Sequence, residues 1–231
     1  FLDADDEWMP EFLERCLKGL EKHPDCDVAA AAYYLGENCR DISAEFRRRG
    51  MSDGRWQLRP EISDLELKNA IYIFHSSSTL CKRAIIEKYG GFYDKNHCRL
   101  GEDYYLWLQI MLNHKIFRIL KPLWWYHLEA SELGNAVVDR CNQPFLTEFN
   151  SIRNKCPQEL MSVLERWIAL YTLGLAQELS FSRQAEKAAK LINAFPRMRD
   201  FKWEYFKLRT KMIAPQLIPL VRQFKKYLKH A

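Results

Sequence analysis

Phe1-Leu2-Asp3-Ala4-Asp5-Asp6-Glu7-Trp8 opens the chain with an apolar pair that runs straight into closely spaced acids. The pair reads as the last two residues of a buried strand opening onto an acidic loop. Ligands of open α/β sheets bind at the carboxyl ends of strands. Carboxylates at such a place suit a hard divalent cation, which in turn can hold substrate phosphates. The same residues also fit an Asp-rich turn, or a helix whose N-cap is Asp6. A D-x-D is short and recurs by chance.

Pro10 fits the first turn of a following helix, and Phe12, Leu13, Cys16, Leu17 and Leu20 recur at helical spacing as far as Lys22. His23-Pro24 stops it. Residues 27–35, with Val28, a run of alanines and Tyr33-Tyr34, read as a buried strand. A helix and then a strand, starting from a strand end, make one α/β repeat. Residues 36–62 are polar and read as a loop over the active face. Their Arg47-Arg48-Arg49 is a phosphate contact or a solvated charge run. Ser63 caps a short predicted helix to Asn69, with Glu66 three residues on. A strand at about 77–81 and a helix at 82–88 follow, closed by Gly90-Gly91.

A second acidic pair, Glu102-Asp103, follows Gly101 and begins an apolar helix. The helix dipole there favours ionised carboxylates, although a structural cap has the same address. Residues 115–120 and 123–127 read as two short strands on either side of Pro122, the second ending in Trp124-Trp125-Tyr126-His127.

FLDADDEW, GGFYD (90–94) and GEDYYLWLQI (101–110), in that order, resemble the inverting glycosyltransferases of family 2. The resemblance covers roughly residues 1 to 130. It implies an α/β fold with a GT-A-like, Rossmann-like sheet, incomplete at its N-terminus and followed by a C-terminal helical extension. In that family the acidic motif lies mid-domain, behind a nucleotide-binding half. The sequence is therefore expected to be the C-terminal portion of a longer enzyme. Residues 1–134 would be the metal and acceptor side of the catalytic domain, and 135–231 the extension.

The resemblance implies transfer of a sugar, with inversion, from a nucleotide-sugar donor (UDP-, GDP- or dTDP-sugar) to a glycan or lipid-linked acceptor, in surface polysaccharide or glycan assembly. Mn2+ or Mg2+ would sit on Asp5 and Asp3, with Asp3 also near the donor ribose. His127 would touch the metal or the diphosphate. His75, Ser76 and Gly101 would line the acceptor or donor-sugar pocket. Asp103 would be the catalytic base, with Glu102 beside it. Asp6 is the weaker candidate because a cap would occupy it. His127 also fits a packed core histidine, and the serines fit the start of a strand.

Two other classes compete. A haloacid-dehalogenase-type phosphatase also begins with an apolar strand and D-x-D, but expects Thr or Val after the second Asp, where Asp6 stands here. A non-catalytic binding module is the other.

The net charge is +5, and it is uneven. From Phe195 onward there are ten Lys and Arg against two Asp and Glu. An anionic surface is the partner such a tail suits. Ile213, Leu217, Leu220, Val221, Phe224 and Leu228, set against Arg222, Lys225, Lys226 and Lys229, give a basic amphipathic helix that either meets a membrane interface or packs on its own domain. Trp203, Tyr205 and Phe206 read as helix packing, and nucleic acid is not an expected partner.

Leu160, Val163, Leu164, Trp167, Ile168, Tyr171, Leu175 and Leu179 form one periodic helix, and Ala185, Ala188, Ala189, Leu191 and Ile192 another. No fixed period supports helix-pair repeats. Seven scattered cysteines without a C-x-x-C favour reduced thiols and a cytoplasmic setting, and the basic C-terminal helix would allow a peripheral contact at the inner membrane face. No run of about 18 or more apolar residues occurs, so a transmembrane helix is not expected.

Overall fold

The computed structural model describes residues 1–98, 100–130, 139–181 and 184–213. Contacts divide the chain into two units, Phe1–Leu164 and Glu165–Ala231. The expected boundary at 134/135 lies outside the described residues, as does the amphipathic tail beyond Ile213. In chain order the elements are β1 (Glu7–Trp8), α1 (Phe12–Lys22), β2 (Val28–Leu35), β3 (Arg40–Asp41), α2 (Ser43–Arg48), β4 (Gly54–Trp56), α3 (Asp64–Asn69), β5 (Thr79–Cys81), α4 (Arg83–Tyr89), α5 (Glu102–Asn113), β6 (Ile116–Tyr126), α6 (Pro144–Thr147), α7 (Phe149–Asn154), α8 (Met161–Phe181), α9 (Ala185–Ala194) and α10 (Lys202–Ile213).

The first unit is mixed α/β. Its sheet is built on β2 and β6, which run parallel from Val28 beside Ile116 to Leu35 beside Tyr126. Parallel pairs are covered on both faces, and residues 28–32 are fully buried. Short antiparallel strands flank the pair. β5 and β3 lie along the outer side of β2, and β4 and β1 along that of β6. α1 covers one face, where Phe12, Cys16, Ala29, Ala31, Ile119, Leu123 and Trp124 form one apolar cluster.

Several expectations hold locally. Ser63 caps α3, its hydroxyl accepting from the Glu66 N–H at 3.2 Å. α4 ends in Gly90, whose φ of 84° is the left-handed turn that glycine adopts without strain. Other expectations are corrected. Leu13 and Leu17 are exposed, and α1 instead presents Phe12, Cys16 and Gly19 inward. Gly19 is needed there because a Cβ would overlap the ring of Phe117. Residues 36–62 are not one loop: they hold β3, α2 and β4, anchored by buried Ile42, Phe46, Met51 and Trp56. Arg47 pairs with Asp53 and Arg49 with Glu45.

Pro122 does not divide two strands. β6 is continuous, and Pro122 sits at an irregularity where its register against β2 shifts. Proline is tolerated at such a bulge because the ladder is already interrupted. The neighbouring Leu120 N–H bonds the Asp53 carboxylate at 2.6 Å instead of a strand. Phe1 and Leu2 are exposed and in no strand, since no described strand pairs with them.

In the second unit Ala188, Leu191 and Ile192 of α9 are buried, and so is Leu208 of α10. Trp203 and Phe206 do not pack inward as predicted. They lie on the side of α10 opposite Leu208 and are 63% and 60% exposed. Among the described residues no helix is long and apolar enough to cross a membrane.

Arg118 of β6 is fully buried. Its guanidinium lies 3.7 Å over the ring of Trp56 and donates to Glu66 Oε1 at 3.0 Å. The Trp56 indole N–H donates to the same oxygen at 2.7 Å. Burial pulls the Arg118 pKa down to about 10, against the pull of Glu66. Removing one partner of a buried pair leaves the other charge uncompensated. Arg118→Ala is expected to lower the unfolding free energy by about 3–5 kcal/mol in chemical denaturation. Arg118→Lys should fall between, because an ammonium keeps the charge but loses the stack on Trp56.

Candidate functional site

β1 runs antiparallel to the carboxyl end of β6, with Glu7 beside Trp125 and Trp8 beside Trp124. The residues before Glu7 therefore continue past the carboxyl ends of β2 and β6, where ligands of α/β sheets bind. There the backbone reverses: the Asp6 N–H donates to the Asp3 carbonyl at 3.1 Å. Asp6 is not a helix cap. α1 begins beyond Glu11, with no side-chain cap.

Ser77 holds this turn. Its hydroxyl donates to Asp6 Oδ2 at 2.5 Å and accepts from the Asp3 N–H at 3.0 Å. Its carbonyl accepts from the Trp8 indole N–H at 2.7 Å. Ser77 lies just before β5, in a loop tied by Ser78, whose hydroxyl donates to the Ile73 carbonyl at 2.7 Å and accepts from the His75 N–H at 2.7 Å. The loop sets His75 against Trp124 and Tyr126, with ring centroids 5.0 Å from each. His75 Nδ1 then lies 3.7 Å from Asp3 Oδ2 and 3.8 Å from Asp6 Oδ2.

Asp3, Asp6 and His75 each turn a ligand atom inward, all within 4.8 Å of one another, and among the described residues they are the one such group. The Asp6 side chain is 1% exposed, and its Oδ1 is buried without a hydrogen-bond partner. Burial pushes its carboxyl above the ordinary range, although Ser77 and His75 oppose this. Burial likewise lowers the His75 pKa, which favours the neutral ring that can ligate. Two carboxylates, an uncompensated buried oxygen and a neutral imidazole fit a divalent cation such as Mn2+.

Asp5, expected as the main ligand, is outside the converging set. Its charge still acts on Asp6, His75 and Tyr126. A phosphatase of the D-x-D type would need Asp3 and Asp5 to converge, whereas it is Asp6 that joins Asp3. Ser76 is buried beside the site, but Ser77 makes the bonds. His127 stacks on Trp125 at 4.3 Å and its Nδ1 lies 3.1 Å from Glu129, outside the set.

Asp103 and Glu102 begin α5, behind Gly101. Gly101 has a φ of 80°, and a Cβ there would press on the Gln143 side chain at 2.8 Å. The expected dipole effect does not dominate. Burial, with Glu102 adding to it, raises the Asp103 pKa to about 7, and Asp3 contributes. The shared influence of Asp3 puts this carboxyl and the acidic turn in one field. Tyr126 lies in the same field: burial raises its pKa, and the carboxylates of Asp6, Asp5, Asp3 and Asp103 add to the rise. Glu102 Oε2 is buried without a partner.

The sequence alone does not single out Ser77 or Tyr126, and it places Asp6 behind Asp3 and Asp5, whereas the structure groups Asp6 with Asp3 and His75. The run His75-Ser76-Ser77-Ser78-Thr79 was the available signal for Ser77, but it does not say which hydroxyl faces the turn.

Residues 1–90 match the family described as Glycosyl transferase family 2. They carry a domain of that family, which implies a GT-A fold and an enzyme. The matched stretch contains Asp3, Asp5, Asp6, His75 and Ser77, and it ends before Asp103. No curated protein matches the chain.

Ser77→Ala removes the two bonds that the Ser77 hydroxyl makes to the acidic turn. Outer-shell changes of this kind cost about 10–100-fold in metal affinity. Calorimetric titration with Mn2+ should show a loss of that size for Ser77→Ala, and near-complete loss for Asp6→Asn.

Proposed function

We propose that the glycosyl transferase family 2 domain of residues 1–90 works with α5 and β6 as an inverting, metal-dependent glycosyltransferase acting on a nucleotide-sugar donor. The observation that carries this reading is the pairing of unlike acidic sites: the Asp3, Asp6 and His75 group in one field with an Asp103 carboxyl held at about 7.

A divalent cation on Asp3, Asp6 and His75 would act as a Lewis acid toward the charge that develops on the leaving diphosphate. Asp5 adds negative charge beside it, and Ser77 fixes the turn. Asp103 accepts the proton of the acceptor hydroxyl as that oxygen bonds to the anomeric carbon. The bond from that carbon to the diphosphate breaks on the opposite face, which inverts the centre and releases a nucleoside diphosphate. A base with a pKa near the working pH is the efficient choice. The buried environment that raises Asp103 supports this role. The acceptor is proposed to be a glycan or a lipid-linked sugar, as the family resemblance implies. The scatter of the seven cysteines along the sequence, with no C-x-x-C pair, supports a cytoplasmic setting.

The test is release of nucleoside diphosphate from a panel of sugar nucleotides, with candidate acceptors, with and without Mn2+. Metal-dependent release by the wild type, lost in Asp6→Ala, is expected. Asp103→Asn should lower kcat by about 10²–10⁴-fold with donor affinity nearly unchanged. Equal losses in donor binding and turnover would remove the base role.

The pH dependence has a definite sign. Asp103 works as the carboxylate, so kcat/KM should fall as pH drops through about 7. The same raised pKa makes ionisation costly to the fold. The stability Asp103 contributes is full below the unfolded aspartate pKa and lost as pH rises through about 7. Asp103→Asn should therefore raise the melting temperature at pH 8 and leave it little changed at pH 3.5.

A further inference from the structure

α10 is apolar on two sides. Leu208 faces inward and is fully buried, with Tyr205 and Met212 half-buried on the same side. On the opposite side Trp203, Phe206 and Ile213 recur at i, i+3 and i+10, and Ile213 is 72% exposed. The rings of Trp203 and Phe206 stack with centroids 6.0 Å apart, so the aromatic surface is continuous. Large aromatic and aliphatic side chains held in water along one helix face are costly unless something covers them.

The charges around this face decide what covers it. Lys202 and Arg209 flank the stripe on one side and are exposed, and Lys207 flanks it on the other, its ammonium 5.0 Å from the Trp203 ring centroid. Lys211 lies 4.1 Å from the Phe181 ring centroid on α8, and Phe181 is itself exposed. Glu204 is the sole acid of the helix; it lies off the stripe, and its exposed pair with Lys207 at 3.5 Å leaves the ammonium open to solvent. An aromatic stripe bordered by bases on both edges is complementary to a surface that is apolar below and anionic above.

We propose that this face of α10 docks on an anionic lipid surface, with Trp203, Phe206 and Ile213 entering the headgroup boundary and Lys202, Lys207 and Arg209 meeting the phosphates. Indole and phenyl rings partition to that depth, and lysine and arginine stems reach upward from it. Each base near such a surface adds to the attraction, which salt screens. A helix lying in the interface needs no membrane-spanning length. This face of α10 shares no residue with the acidic site.

The experiment is co-sedimentation of the full chain with vesicles of phosphatidylcholine alone and of phosphatidylcholine with phosphatidylglycerol. Wild type should bind the anionic vesicles, more weakly as salt rises, and leave the neutral ones largely unbound. Trp203→Ala with Phe206→Ala should weaken binding by about tenfold or more. Lys202→Glu with Lys207→Glu and Arg209→Glu should abolish it. All of these side chains are wholly or partly exposed, and far-ultraviolet circular dichroism checks that both variants fold.

Absence of vesicle binding by the wild type would overturn the proposal, as would equal binding to neutral vesicles. So would unchanged binding in both variants with loss on replacing Arg222, Lys225, Lys226 and Lys229, which would place the contact beyond α10. Dimers in light scattering that dissociate in the aromatic variant, or binding of single-stranded nucleic acid without vesicle binding, would assign the face to another occupant.

Discussion

The parallel pairing of β2 with β6 is the constraint on which the first unit depends. A parallel pair has to be covered on both faces and flanked on both edges. Alanines in β2 keep the chain low enough for α1 to lie on it, and the short antiparallel strands close the edges. β6 also carries the structure's main concession. Arg118 is buried in it, which is tolerable because Glu66 takes the charge and Trp56 takes the face of the guanidinium. Glu66 is therefore pulled away from the capping role its spacing from Ser63 predicts, and only half of the capping box forms.

The same pairing creates the site. β1 adds to the carboxyl end of β6, and the approach to β5 runs beside the carboxyl half of β2. The acidic turn and the His75 loop thus arrive at one place from positions some seventy residues apart. Four carboxylates then share a field, and their mutual repulsion is not relieved by a nearby lysine or arginine in the hydrogen-bond pattern described. Ser77 relieves part of it with a hydroxyl, and burial moves Asp6 and Asp103 toward the neutral form. Such an arrangement costs the fold stability and favours occupation by a cation, which is the usual trade between a strained site and its ligand.

Much of the fold was legible from local chemistry. The helical spacing of α1 and α8, the cap at Ser63, the glycines after α4 and the buried run of β2 are short-range signals, and the structure contains each of them. The failures share one cause. Leu13 and Leu17 have the right spacing for a core face, but the approach of Gly19 to Phe117 rotates the helix past them. Pro122 has the look of a strand break, yet a bulge absorbs it because Asp53, far away in sequence, satisfies the exposed amide beside it. Residues 36–62 read as polar on average, while a few separated apolar side chains were enough to anchor two strands and a helix.

By itself the sequence determined the α/β class, the family resemblance, the acidic stretches at 3–6 and 102–103 and the basic bias after Phe195, because all of these are properties of composition and near-neighbour order. The tertiary structure decided which acids come together. Asp3 and Asp6 rather than Asp3 and Asp5 converge, because a tight turn places residues three apart on one side and Ser77 holds them there. It also decided that Asp103 is held near neutrality instead of being lowered by its helix, and that Trp203 and Phe206 face outward. Burial and orientation depend on what the rest of the chain brings alongside, and no local pattern encodes that.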